Sequence, residues 1–461
     1  MSDRGSALSA TVFYSWQSDL PNATNRGLIE EALKLAAKSL RADESLRIEP
    51  VIERDTLGLP GSPEIHTAIF EKIETAAAFV ADVTIIGSTA GGRPTPNPNV
   101  LLELGYALRA LSEERVVLVV NIAFGGPEAL PFDLKMRRVL KYSLDPHDAN
   151  RTESRKALAR SLENALKPIL QAVERASGEI SAFKQSLLDD SKRIEIDDRV
   201  NGEAGKLRTL LDSQNLETQW SGDALRERVA QFEASAAPLV AMFAVGNRWA
   251  PSSHADLWRR VMERVANPVE PRGAYIDLWH HLQRYPALRL MYAGGIAAVG
   301  NEQWLALRKL LVDVQVRESG RSVPSAIALH APDLFGVEQE KHLPGMAQRR
   351  AALADHLFAS LQEPLVDQFP TSEEIEAAFD RFEALVALVH ADLRTNELWE
   401  WCPLGRLVWR PRTVFDAIGQ EAAAARERWP PLQAGLFSGD YGRFESAMQK
   451  VRSFCTKTPS F

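Results

Sequence analysis

The sequence predicts an α/β fold with a parallel sheet in its first third, followed by a mostly α-helical C-terminal domain. Two observations carry that expectation. From Ala10 to about Leu144, short runs rich in Val, Ile, Phe and Tyr alternate with stretches whose apolar residues recur three and four apart. This is the pattern of a sheet wound with helices. Beyond about residue 205 only the helical spacing persists.

The first strand is TVFYSW, residues 11–16, a β-branched and aromatic run that ends in polar residues. NRGLIEEALKLAAKSL (25–40) carries an apolar stripe and reads as the first helix. RIEPVI (47–52) is the second strand, and the turn-rich ERDTLGLPGSP after it leads into SPEIHTAIFEKIETA (62–76), a helix with Pro63 near its first position. AAFVADVT (77–84) is the third strand. The loop STAGGRPTPNPN then enters the helix NVLLELGYALRAL (99–111), where Asn97 before Pro98 is an N-cap with proline at the first helical position. RVVLVV (115–120) and RVLKYSL (138–144) complete five strands. Their nearly continuous apolar runs are those of strands covered on both faces. Five βα repeats in about 135 residues make a flavodoxin-like unit.

A long helix follows, ESRKALARSLENALKPILQAVERA, with Leu158, Leu162, Leu166, Ile169 and Val173 on one stripe. It closes a first domain over residues 1–177. The charge-dense KQSLLDDSKRIEIDDRVNGEAGK marks a linker over 178–204, and 205–461 form a helical domain. There TSEEIEAAFDRFEALVALVHADL opens with Thr371 and Glu374 at capping-box spacing. Nine of the ten tryptophans lie beyond residue 200, which gives that domain large anchors for packing or partner contacts.

Composition narrows the function classes. With 45% hydrophobic and 25% charged residues the chain is an ordinary globular one, not a disordered or fibrous one. Its net charge of −7 leaves no basic half to make nonspecific nucleic-acid binding the default. The two cysteines, Cys402 and Cys455, have no CxxC spacing, so neither a disulfide framework nor a structural zinc site is expected. No signal peptide and no membrane span of about 18 apolar residues is evident, which points to the cytoplasm. GxGxxG, HExxH and GxSxG are all absent, which disfavours an oxidoreductase, a zinc protease or a serine hydrolase. His66 and the His280–His281 pair read as structural, and the basic KMRRVLKY (135–142) as a solvated edge strand.

In an open parallel sheet, ligands bind at the carboxyl ends of the strands. Four polar strand ends and the loop before Asn97 converge there. Asn99, Glu103 and Tyr106 are spaced by four and three, so they share a helix face that can look toward those ends. The free amides of that helix start would favour an anionic ligand. By position alone Glu103 reads as a solvated helix charge.

FYSWQSD, RDTLGLPGSPEIHTAI, FVADVT and PNPNVLLELGYAL, in this order over about the first 145 residues, resemble the bacterial TIR-like domains of antiviral defence, which are related to nucleoside deoxyribosyltransferases. The resemblance implies cleavage of the bond between nicotinamide and ribose in NAD+, with NAD+ as substrate and no separate cofactor or metal. It implies Glu103 as the catalytic residue, and Ser15, Trp16 and Asp82 as residues lining the nucleotide pocket. Helix geometry adds Asn97 and Asn99. Two of these keep second readings: Asp82 also fits a cap for the following turn, and Trp16 a packing role.

The resemblance also implies self-association of the TIR-like domains, with the turn at Pro60, Gly61 and Pro63 taking part. The opening VFYSWQSD departs from the FISYS-like start of animal and plant TIR domains, so detailed contacts do not carry over from those. The expectation is an NAD+ glycohydrolase effector of anti-phage defence, activated by a partner or ligand at the helical domain and independent of membranes. The alternatives are a cyclase that makes a cyclic ADP-ribose signal and a non-catalytic nucleotide- or partner-binding module.

Overall fold

The computed structural model describes residues 8–43, 46, 48–53, 65–89, 91–214, 218–269, 274–318, 320–330, 334–336, 338–394 and 401–457. The turn at Pro60, Gly61 and Pro63 and the His66 side chain lie outside the described set. The chain divides into two compact units, Met1–Glu179 and Ile180–Phe461.

The first unit is an α/β unit around five parallel strands: β1 (Leu8–Ser15), β2 (Ile48–Glu53), β3 (Ala78–Asp82), β4 (Val116–Asn121) and β5 (Val139–Tyr142). Their order is β2-β1-β3-β4-β5, every pair parallel. Between them run α1 (Arg26–Ala42), α2 (Ile65–Thr75) and α3 (Pro98–Ala110), and α4 (Arg151–Leu187) follows β5.

The period-two alternation of the strands sorts the core into two layers. Val12, Tyr14, Val80 and Val119 pack with Leu28 and Ile29 of α1 and with Leu158, Leu162 and Leu166 of α4. Phe13, Phe79, Ala81 and Leu118 face the other way and pack with Ile73 of α2 and with Val100 and Leu104 of α3. Helices therefore cover both faces, which is why the strands are apolar throughout. β5 is an edge strand, and of the basic residues around it Arg137 is paired with Glu113 at 2.8 Å.

The stretch expected as a linker, 178–204, is helical instead. The division of the units falls at Glu179, inside α4 as bounded above, and α5 (Arg193–Asp212) covers the rest. Phe183, Leu187, Ile196, Val200 and Ala204 are buried in the core of the second unit. The dense surface charge of this stretch masks that sparse stripe.

The second unit is built of helices, chiefly α5, α6 (Gly222–Trp249), α7 (Ala255–Ala266), α8 (Tyr285–Val299), α9 (Ser372–Leu393), α10 (Thr413–Ala425) and α11 (Tyr441–Lys457). One small antiparallel hairpin, Gln315–Glu318 with Arg321–Pro324, interrupts the expected all-helical pattern. α9 begins as its capping spacing predicts, with the Thr371 side chain accepting from the Glu374 amide at 3.2 Å. Glycines let α6 pack closely against α7 and α8 against α9. A Cβ on Gly246 would lie 1.9 Å from Trp258, and one on Gly295 would lie 2.0 Å from Phe382. Among the described residues α6 is the one helix long and apolar enough to cross a membrane, and 56% of its apolar window is buried inside the protein, as in a core helix.

Candidate active site

Each central strand ends in a polar residue after an apolar run. β1 ends in Ser15, β3 in Asp82 and β4 in Asn121, all buried. Ser15 is in register with Ala81, next to Asp82, so the ends of β1 and β3 lie side by side. Chain order reverses there, since β2 lies on one side of β1 and β3 on the other. This is the place where open parallel sheets bind ligands.

α3 delivers Glu103 to that edge. Asn97 caps the helix as the Asn97–Pro98 pair predicts: its side-chain oxygen accepts from the amides of Asn99 at 2.8 Å and Val100 at 3.2 Å. Val100, Leu104 and Ala107 are buried against the sheet. Glu103, one position from that stripe, is half-buried, and the Ser15 hydroxyl donates to its Oε2 at 2.5 Å. A second link runs beside the first, where Asn97 Nδ2 donates to Asp19 Oδ2 at 2.7 Å. The loop after β1 and the first turns of α3 are thus joined twice.

The amides at the start of α3 are not free, contrary to expectation. Pro98 has none, Asn99 and Val100 serve the cap, and the Leu101 amide donates to the Asn97 carbonyl at 3.1 Å. The helix start is therefore satisfied by its own cap and is no ready anion cradle. Tyr106 also departs from the expected face. It stacks on Phe70 of α2, centroids 4.2 Å apart, and its hydroxyl donates to Glu74.

Asp82 is the hub of a buried polar network. Its Oδ2 accepts from Gln17 at 3.1 Å and Asn25 at 3.3 Å, and its Oδ1 accepts from the amide and the hydroxyl of Thr84 at 3.1 and 2.5 Å. Burial pushes its carboxyl above the usual range, and the bonds from Thr84, Asn25 and Gln17 work against that. Gln17 in turn accepts from the Leu20 amide at 3.0 Å, which pins the loop after β1. Asn121 extends the network by donating to the Leu144 carbonyl at 2.9 Å, and Tyr142 donates to the Thr24 carbonyl at 2.7 Å. Asp82 thus caps the turn at Thr84 and, through Gln17, holds the loop after β1.

Trp16 is half-buried, with the Arg26 guanidinium 3.4 Å from its ring centroid. Asn99 is exposed. The structure thus brings Ser15 to Glu103 and Asn97 to Asp19, sets Trp16 beneath Arg26, and places Asp82 inside the network. Sequence reasoning missed Gln17, Asp19, Asn25, Thr84 and Asn121. The available signal was a polar residue directly after an apolar run, in YSWQ, ADVT and VVNI.

Chemically, the site offers a half-buried carboxylate, Glu103, held by the Ser15 hydroxyl at the carboxyl ends of the strands. Such a group can stabilise a sugar cation as it develops. No group of three or more His, Cys, Asp or Glu among the described residues is placed to hold a metal. Comparison of the chain with protein families, with curated proteins and with solved structures returns no match.

Proposed function

We propose that this protein is an NAD+ glycohydrolase of the bacterial TIR-like kind, acting in the cytoplasm as an anti-phage effector, with Glu103 as its catalytic carboxylate. The observation that carries the reading is the Ser15–Glu103 hydrogen bond, which sets the acid at the reversal point of the sheet. The strand order 2-1-3-4-5 is that of flavodoxin-like folds, which the first unit is proposed to share.

In the proposed reaction the C1′–N bond breaks and its electron pair goes to the pyridinium nitrogen, so nicotinamide leaves neutral. No general acid is needed for that departure. The positive charge left on the ribose is stabilised by the Glu103 carboxylate, water adds at C1′ and loses a proton, and ADP-ribose results. Ser15 fixes the carboxylate in place, and Asn97 with Asp19 fixes the helix that carries it.

The second unit takes the role of sensor and the first unit self-associates on activation. The test is NAD+ consumption with product identification in phage-challenged cells and with purified protein, wild type against Glu103→Gln. Glu103-dependent release of nicotinamide supports the reading, and ADP-ribose or its cyclic form tells hydrolysis from cyclisation. Intact NAD+ in challenged cells overturns it in favour of a non-catalytic binding module.

A further inference from the structure

The carboxyl edge of the sheet opens between its two faces. α1 packs with Val12 and Tyr14 on one face, and α3 with Phe13 and Ala81 on the other. The loops that lead to these helices therefore part at the ends of β1 and β3, which leaves a crevice there. Consecutive residues serve its two sides. Ser15 holds Glu103 of α3 at 2.5 Å, while Trp16 packs with the α1 layer and carries the Arg26 guanidinium 3.4 Å from its ring centroid.

Arg26 is the first residue of α1 and is half-buried. Among the described residues its guanidinium forms no hydrogen bond or ion pair, and none of its nitrogens is enclosed. The stack on Trp16 fixes the group yet leaves its N–H donors, which lie in its own plane, free for an oxyanion. The other described arginines near this edge differ: Arg151 is paired with Glu31 at 3.2 Å, and Arg93 is exposed in the hairpin of residues 87–95.

The crevice is thus polarised, with a carboxylate on one side of the β1 end and an unpaired, reachable cation on the other. NAD+ has the same polarity. Its positive charge sits on the pyridinium at the bond that breaks, and its negative charge on the diphosphate beyond the ribose. Opposite charges align when the pyridinium ribose lies at Glu103 and the diphosphate at Arg26. We infer that Arg26, held on Trp16, binds the diphosphate and so restricts the substrate to dinucleotides over nicotinamide riboside. The inference rests on the proposed NAD+ cleavage and adds which end of the substrate lies where.

The test is calorimetric titration of the full chain with ADP-ribose, and with nicotinamide riboside as the ligand that lacks a diphosphate. Wild type is expected to bind ADP-ribose, and Arg26→Gln to weaken that binding at least about tenfold, equivalent to ~1.4 kcal/mol. Both proteins bind nicotinamide riboside alike. Arg26→Lys, which keeps the charge, recovers part of the loss. Should Arg26→Gln fail to fold, Arg26→Met decides in its place, since its stem still packs on Trp16. Absence of ADP-ribose binding to wild type, equal affinity in the variant, or the same loss for nicotinamide riboside overturns the inference. NAD+ cleavage by the same proteins tells its failure from that of the glycohydrolase reading. Intact NAD+ beside Arg26-dependent binding of ADP-ribose sinks only that reading, and cleavage with an unchanged KM in Arg26→Gln sinks only the inference.

Discussion

Ser15 and Glu103 stand 88 positions apart in the chain, yet the serine hydroxyl donates to the glutamate carboxylate at 2.5 Å. Ser15 is fixed as the last residue of a buried strand, and Glu103 by a helix whose cap also grips Asp19. The carboxylate is therefore oriented by two rigid elements, as a preorganised group must be.

Ser15→Ala removes a hydrogen bond to a charged group, a loss of about 1.5–3 kcal/mol at the carboxylate. On the proposed function, kcat/KM for NAD+ cleavage falls about ten- to a hundredfold. Far-ultraviolet circular dichroism and the unfolding midpoint change little by comparison. Full activity in a folded Ser15→Ala protein means that Ser15 does not orient Glu103.

Asp82→Ala leaves the donors of Gln17, Asn25 and Thr84 buried without their acceptor. The expected cost is about 3 kcal/mol in the stability of the first unit, read by urea unfolding. A wild-type midpoint would show that Asp82 is not the hub of that network.

Gly295→Ala forces a methyl group to within 2.0 Å of the Phe382 ring, where α8 and α9 are both buried. Overpacking of this kind costs about 1–3 kcal/mol. Thermal unfolding followed by tryptophan fluorescence should show the second unit melting earlier.

His330 and His390 lie together, ring centroids 5.7 Å apart, under Trp401. Burial holds His330 at about 4, with Arg394 adding to the effect. Burial holds His390 at about 3, with His330 and Arg394 adding to it. Both values lie below the ordinary 6.5, so the unfolded chain takes up these protons first. Stability from the neutral pair is complete above pH 6.5 and is lost as the pH falls toward 4 and then 3. Urea midpoints of the second unit should hold between about pH 7 and 8 and fall by up to ~1.4 kcal/mol per pH unit per histidine below that range. His390→Phe should flatten the dependence, and an equally steep fall in that variant would assign it to other groups.

Much of the first unit is legible in the sequence because its signals are local. Nearly continuous apolar runs identify the strands, and the Asn97–Pro98 pair marks the start of α3, since a cap is made by residues next to one another. Amphipathic spacing likewise locates α9 and its cap. Local signals mislead where a sparse stripe carries the packing. Residues 178–204 read as a linker because their charges outnumber Phe183, Leu187, Ile196, Val200 and Ala204, which are nevertheless buried.

Local sequence alone marks the five strands of the first unit, the helices between them and the polar residues at the strand ends. Tertiary structure decided which of those residues meet. Glu103 faces Ser15 because α3 packs Val100 and Leu104 against the sheet and leaves the next position at its edge. Asp82 turned inward because Gln17, Asn25 and Thr84 surround it with donors. Arg248 became a buried cation because the ends of α6 and α8 close on it with Phe369. Each of these depends on contacts between residues far apart in the chain, and side-chain hydrogen bonds and burial are set by packing geometry that local spacing does not encode.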